Sequence, residues 1–169
     1  MPIFTDQAVR LACFTVLLTA SYTDLTRRII PNALIVAGSL GGLAYHLLAT
    51  ASPVHGLVTA ASGVLAGGLL LFLPYFFSWT GAGDVKLLAV LGAWLGPGAV
   101  ILVFVYTTLV GGLMAAIVAV RHGRRLHRTR CPSGAATVWK RSELSSPGLP
   151  YALAMGGGYL LYLTWGNPF

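Results

Sequence analysis

The stretch Gly56–Ser78, GLVTAASGVLAGGLLLFLPYFFS, contains no charged side chain. As a helix rising 1.5 Å per residue it is long enough to cross a hydrocarbon core of about 30 Å. Five further apolar segments surround it: Gln7–Thr23, Pro31–Thr50, Asp84–Leu95, Gly98–Val120 and Leu149–Trp165. Helix breakers lie between them at Pro31, Pro53, the Gly81/Gly83 pair, Gly96-Pro97-Gly98, and Pro147 with Pro150. Pro31 fits the first turn of the second helix, where its missing N–H is no loss. The composition agrees: 56% hydrophobic and 9% charged, against about 25% charged in a soluble domain. The chain has too little polar surface to cover a globule in water. It is expected to be an all-α polytopic membrane protein of six transmembrane helices, with residues 1–169 forming one membrane-embedded domain.

The N-terminus lacks a positive region ahead of its apolar run and is not read as a cleaved signal peptide. Cys13 lies inside the first apolar run and Cys131 in a polar loop, so neither a disulfide nor a zinc ribbon is expected. The 11 Lys and Arg residues set the orientation. With the N-terminus outside, Arg27, Arg28 and Lys86 fall on the inner face. So do Arg121, Arg124, Arg125, Arg128, Arg130, Lys140 and Arg141 of a basic cytoplasmic loop over 121–148. Only Arg10 is left outside. Both termini are then outside, in a multi-pass protein of the cell inner membrane.

Asp24 and Asp84 stand out in a chain with only 4 acidic residues. Asp24 closes the first apolar segment, in Tyr22-Thr23-Asp24-Leu25-Thr26-Arg27-Arg28, and Asp84 opens the fourth, in Gly81-Ala82-Gly83-Asp84-Val85-Lys86. Carboxylates at membrane depth are costly and point to function. Two crossings separate the pair, so both sit at the same face whichever way the protein is oriented. From Asp84 to Leu95 is about 12 residues, or roughly 18 Å of helix. With Gly96-Pro97-Gly98 as the outer turn, Asp84 lies below the inner surface. A kinked helix continuing through Pro97 is the alternative.

Two aspartates around one water can hydrolyse a peptide bond, one ionised as base and one protonated as acid, sharing a proton between them. Asp84 heads a helix, where the macrodipole favours an anion, and Asp24 ends one, where it does not. That asymmetry suggests Asp84 as base and Asp24 as acid. Each residue also has a plainer reading: Asp84 as an N-cap, Asp24 as a partner of Arg27 or Arg28.

On these residues the chain resembles the type IV prepilin peptidases, which are intramembrane aspartic proteases of the Gly-x-Gly-Asp type. Three segments carry the resemblance. They are Asp24-Leu25-Thr26-Arg27-Arg28-Ile29-Ile30-Pro31-Asn32, Gly81-Ala82-Gly83-Asp84-Val85-Lys86-Leu87-Leu88-Ala89 and Leu149-Pro150-Tyr151-Ala152-Leu153-Ala154. The resemblance implies that Asp24 and Asp84 are the catalytic pair, with Gly81, Gly83, Lys86, Pro31, Asn32, Pro150 and Tyr151 as supporting motif residues. It implies an aspartic endopeptidase that removes the short basic leader of a prepilin or pseudopilin precursor at the cytoplasmic face. Larger family members also carry a loop with two C-x-x-C pairs and N-methylate the product. Here only a few residues separate the first two apolar segments, so the chain is most similar to short, peptidase-only forms of tight-adherence (Flp-type) pilus systems. Presenilin-like proteases share Gly-x-Gly-Asp but lack the Ile-Pro-Asn pattern; preflagellin peptidases remain an alternative.

The other polar residues read as structural. Lys86 orients Asp84, meets an acidic substrate group or snorkels to the headgroups; Asn32 serves the helix start or bonds near the dyad. The Arg-rich 121–130 stretch suits anionic lipid, and with Trp139 its only nearby aromatic it makes no nucleic-acid module. Glu143 is a candidate attractive surface for a basic leader. His46, His55, His122 and His127 are too scattered to bind a metal, and no cofactor is expected. Gly63, Gly67, Gly68, Gly111 and Gly112 suit close helix packing. Tyr75, Tyr106, Tyr159 and Trp165 read as interface or packing aromatics. The rival function is a small proton-coupled transporter using the two aspartates as a relay. Against it stands the lack of an inverted repeat.

Overall fold

The computed structural model describes residues 2–27, 29–77, 80–128 and 151–165. Five helices occupy them in the order α1 (Pro2–Arg27), α2 (Asn32–Ala49), α3 (Pro53–Phe76), α4 (Ala82–Arg128) and α5 (Tyr151–Trp165). There is no strand among the described residues. Four stretches are long and apolar enough to cross a membrane: Gln7–Arg27, Asn32–Ala49, Pro53–Phe76 and Ala82–Val118.

The boundaries follow local chemistry, with three departures from the sequence reading. Pro31 is the N-cap of α2 rather than its first helical residue. Its ψ of 132° is extended, and its carbonyl accepts from the N–H groups of Leu34 (3.1 Å) and Ile35 (3.4 Å). The basic loop expected over 121–148 begins later, because α4 stays helical to Arg128. No proline interrupts that stretch before Pro132, and Arg and Leu are good helix formers. The expected fourth and fifth segments form a single helical run, interrupted at Gly96 (φ 78°, ψ 175°). That conformation lies in a region essentially reserved for glycine. Gly96 therefore divides α4 into two arms, 82–95 and 97–128.

The first arm of α4 is the centre of the molecule. Leu87, Leu88, Val90, Leu91 and Ala93 are all buried, covering every side of the helix, as a helix enclosed by others requires. Around it stand Val9, Cys13, Val16, Leu17 and Ala20 of α1, Leu71 of α3, and Ala152, Met155 and Tyr159 of α5. The outward residues are also apolar, among them Leu48, Phe76 and Trp165. That is the pattern of a surface solvated by lipid.

Lipid gives helices no hydrophobic reason to associate, so close backbone approach has to supply the packing. Gly63 of α3 faces Gly92 of α4. A Cβ on either would overlap the other's carbonyl group. Gly67 meets the Leu88 carbonyl in the same way, and Gly42 of α2 lies against the Ala93 backbone. Gly158 of α5 packs on Thr107. The packing role expected for Gly68, Gly111 and Gly112 is weaker. Gly68 and Gly111 make only ordinary contacts, and Gly112 faces open space. Gly112 lies on a side of α4 that no neighbour covers closely.

Polar ties add to the α2–α4 contact. The Trp94 indole N–H donates to the Gly38 carbonyl (2.8 Å), and Tyr45 stacks on the Trp94 ring at 5.9 Å. His46 Nε2 lies 3.2 Å from the Trp94 carbonyl. A carbonyl only accepts, so His46 carries its proton on Nε2 here.

Candidate active site

The site is built where the last turn of α1, the 29–31 connection, the first turn of α2 and the start of α4 converge. Asp24 sits in the last turn of α1, half-buried. It lies on the same side of that helix as the buried Cys13, Leu17 and Ala20, so its side chain is directed inward. Among the described residues it forms no ion pair, with Arg27 or any other residue; Arg28 lies outside them.

Asp84 is the third residue of α4, not its N-cap. Gly81 caps the helix. Its N–H donates to Asp84 Oδ2 at 3.1 Å, while the Asp84 N–H donates to the Gly81 carbonyl at 3.1 Å. The first bond is the half of a capping box that the third helical residue supplies; the second is the backbone bond of the first turn. The structural role weighed for Asp84 is thus real, but it engages one carboxylate oxygen and leaves the other for the cavity. The two positive ingredients, helix dipole and backbone N–H, both act on that carboxylate.

Gly83 matters for a steric reason. A Cβ there would lie 3.2 Å from Ile30 Cδ1 and 3.4 Å from Ile30 Cγ1. The bare backbone lets Ile30, and with it the 29–31 connection, close down on the first turn of α4. On the other side, Lys86 Nζ donates to Asn32 Oδ1 at 3.3 Å. Lys86 and Asn32 therefore bond to each other, which joins the starts of α2 and α4.

A cavity of about 330 Å³ opens between these elements. Asp24, Asn32, Asp84 and Lys86 form its polar part, Ile29, Ile30 and Ile35 its apolar part, and Gly81, Ala82 and Gly83 the backbone between them. The two carboxylates expected to share a face thus share a cavity, and Asp24 is within electrostatic reach of Asp84. Tyr151, at the start of α5, is half-buried, and its phenol is within electrostatic reach of Asp84. It is not part of the cavity lining. Pro150, Cys131, Glu143 and the rest of 129–150 lie outside the described residues. No group of three or more His, Cys, Asp or Glu is placed to hold a metal ion among the described residues.

Sequence reasoning missed the isoleucine wall and the Lys86–Asn32 bond as features of one site. The signal for the first was present, since Ile29-Ile30 directly precedes Pro31-Asn32. The tie that His46 makes between α2 and α4 carries no signal in the sequence.

A family model described as the type IV leader peptidase family matches residues 11–116, a span that contains both aspartates. A prepilin leader peptidase/N-methyltransferase of Aeromonas salmonicida (strain A449) is 36% identical over 105 residues, 58% of this chain and 35% of that protein. A protein of the same name from Burkholderia pseudomallei (strain 1026b) is 30% identical over 167 residues, 93% of this chain and 53% of that protein. One from Myxococcus xanthus (strain DK1622) is 28% identical over 152 residues, 83% of this chain and 44% of that protein. The chain thus spans about a third to a half of the length of these curated relatives. No solved structure matches it.

Proposed function

We propose that this chain, which belongs to the type IV leader peptidase family, is an aspartic endopeptidase that removes the basic leader from prepilin-like precursors. Asp24 and Asp84 are its catalytic pair. The observation that carries this reading is the shared cavity, in which residues 60 positions apart bring the chain's two intramembrane carboxylates together. A volume of about 330 Å³ is roughly ten times the share of one water. It has room for a stretch of peptide as well as the attacking water.

In this mechanism one aspartate of the pair, ionised, takes a proton from the water as its oxygen attacks the scissile carbonyl carbon. The other, protonated, gives its proton to the carbonyl oxygen. On collapse of the tetrahedral intermediate, the peptide nitrogen takes a proton from the pair as the C–N bond breaks. The Gly81 N–H holds Asp84 Oδ2 in place at 3.1 Å. Lys86 and Asn32 steady the rim.

The wider setting belongs to the same proposal. Counting the two arms of α4 separately gives six crossings, with Gly96 at the outer turn. The first arm then covers only about 21 Å of a core about 30 Å thick, which sets Asp84 beneath the inner surface. The basic residues put that face in the cytoplasm and both termini outside, in the inner membrane. Leader cleavage is the step proposed; four residues, 28–31, separate α1 from α2.

Co-expression with candidate prepilins tests the reading. Wild-type chain should yield a shortened pilin whose new N-terminus is found by mass spectrometry. Asp24→Ala and Asp84→Ala should each leave the precursor intact. Cleavage retained in both variants would remove the pair from the mechanism. Absent cleavage, with proton flux in proteoliposomes that either substitution abolishes, would favour the transporter.

A further inference from the structure

A hydroxyl inside a helix usually satisfies itself locally. Thr15, Thr19, Thr23 and Thr26 of α1 each donate to a carbonyl of the preceding turn. Ser21 has the same option and does not take it: only 8% exposed, it makes no hydrogen bond among the described residues. Thr80 Oγ1 and Thr107 Oγ1 are fully enclosed and also without a partner. A buried polar group left unpaired costs free energy and calls for an explanation.

Two of these hydroxyls flank the aspartates, one beside each. Ser21 precedes Asp24 by three residues on α1, a spacing that puts their Cβ atoms about 5–6 Å apart. Side chains on a helix lean toward its N-terminus, so Asp24 is directed back over the turn that carries Ser21. Asp24 likewise makes no hydrogen bond among the described residues. Thr80 shares with Gly81 the peptide unit whose N–H donates to Asp84 Oδ2 at 3.1 Å. Its hydroxyl therefore hangs beside the bond that fixes that carboxylate. Neither Ser21 nor Thr80 lines the cavity, so neither is placed to touch a substrate.

We infer that Ser21 and Thr80 are positioning residues, each donating its hydroxyl to the carboxylate of its own aspartate in the working site. This deepens the peptidase reading and rests on it. Catalytic hydrogen bonds are often long or misaligned in a site without substrate and tighten when it is bound. Thr80 joins the Gly81 N–H at Oδ2 and leaves the other oxygen of Asp84 to the water. Ser21 gives Asp24 a donor that the C-terminal turn of a helix, its N–H groups already engaged, does not supply. Thr107 lies in the second arm of α4 against Gly158 and serves as the control.

The test uses the full-length protein in detergent, with kcat and KM measured for a prepilin-like peptide. Ser21→Ala and Thr80→Val should each lower kcat by about 10- to 100-fold with KM unchanged. Thr80→Ser, which keeps the hydroxyl, should recover most of that loss, and Thr107→Val should keep the wild-type kcat. Wild-type kcat in both Ser21→Ala and Thr80→Val would overturn the inference, as would an equal loss in Thr107→Val. A loss confined to one of the two would overturn the role of the other.

Infrared spectra distinguish positioning from a merely structural role. In the Asp84→Asn protein, acidified to protonate Asp24, the Asp24 C=O stretch should rise in wavenumber when Ser21→Ala is added and stay unchanged with Thr80→Val. In the Asp24→Asn protein the Asp84 band should respond to Thr80→Val and not to Ser21→Ala. General destabilisation does not produce that crossed pattern. Crossed shifts with no cleavage by wild type would keep the two bonds and sink the peptidase. Cleavage by wild type without crossed shifts would sink the bonds and keep the peptidase. Neither shifts nor cleavage would sink both.

Discussion

At Gly96 the backbone takes φ 78° and ψ 175°, a region that a side chain makes costly. The proline that follows cannot continue an incoming helix, so the pair Gly96-Pro97 ends one arm of α4 and begins the next. Gly96→Ala should destabilise the protein by about 1–3 kcal/mol, read as a lower midpoint of thermal unfolding in detergent. An unchanged midpoint would mean the break does not depend on glycine. At Asp84 the sequence allowed two readings, cap or catalyst. The capping bond uses Oδ2, so both are compatible, which no pattern of residue types reveals. That both aspartates lie at the same end of the helices was legible, because parity of crossings depends only on counting segments. Their sharing of a cavity required the 29–31 connection to fold down on Gly83, a contact specified by sterics rather than by hydropathy.

At the scale of helices, the apolar segments were legible but their ends only in part: the expected ends at Thr23 and Val120 fall short of the helix ends at Arg27 and Arg128. Expected ends at Thr50 and Trp165 compare with helix ends at Ala49 and Trp165. Their rotation about their own axes was not. The first arm of α4 is apolar on every side, so nothing in its pattern says which face meets α2 and which meets α3. Glycine placement decides this, and only some glycines take part. Gly63→Ala puts a methyl group against the Gly92 carbonyl and should cost about 1–3 kcal/mol as an overpacked contact. It should also lower activity, since α3 supports the arm that carries Asp84. Gly112→Ala faces open space and should be neutral or stabilising by up to about 1 kcal/mol. Unfolding midpoints of the two variants measured side by side check the contrast; equal losses would contradict the α3–α4 packing. The Trp94–Gly38 and His46–Trp94 bonds escaped sequence reading for the same reason, because they depend on helix rotation.

For the whole molecule, the charge distribution is the basis of the proposed orientation, which puts the cavity at the cytoplasmic face. With Cys13 and Cys131 replaced by serine, a cysteine at Ser52 should react with an impermeant maleimide in intact cells. One at Arg27 should react only after permeabilisation. The reverse pattern would turn the protein over and place the cavity outside. The central claim is that Asp24 and Asp84 act as one unit on one water. Single-turnover cleavage of a prepilin by the purified wild-type, Asp24→Asn, Asp84→Asn and doubly substituted proteins tests it most directly. The account predicts a loss of about 10²- to 10⁴-fold for each single change and no further loss in the double, as for residues that work together. A single variant that keeps the wild-type rate, or a double variant whose loss is the product of the two, would contradict it.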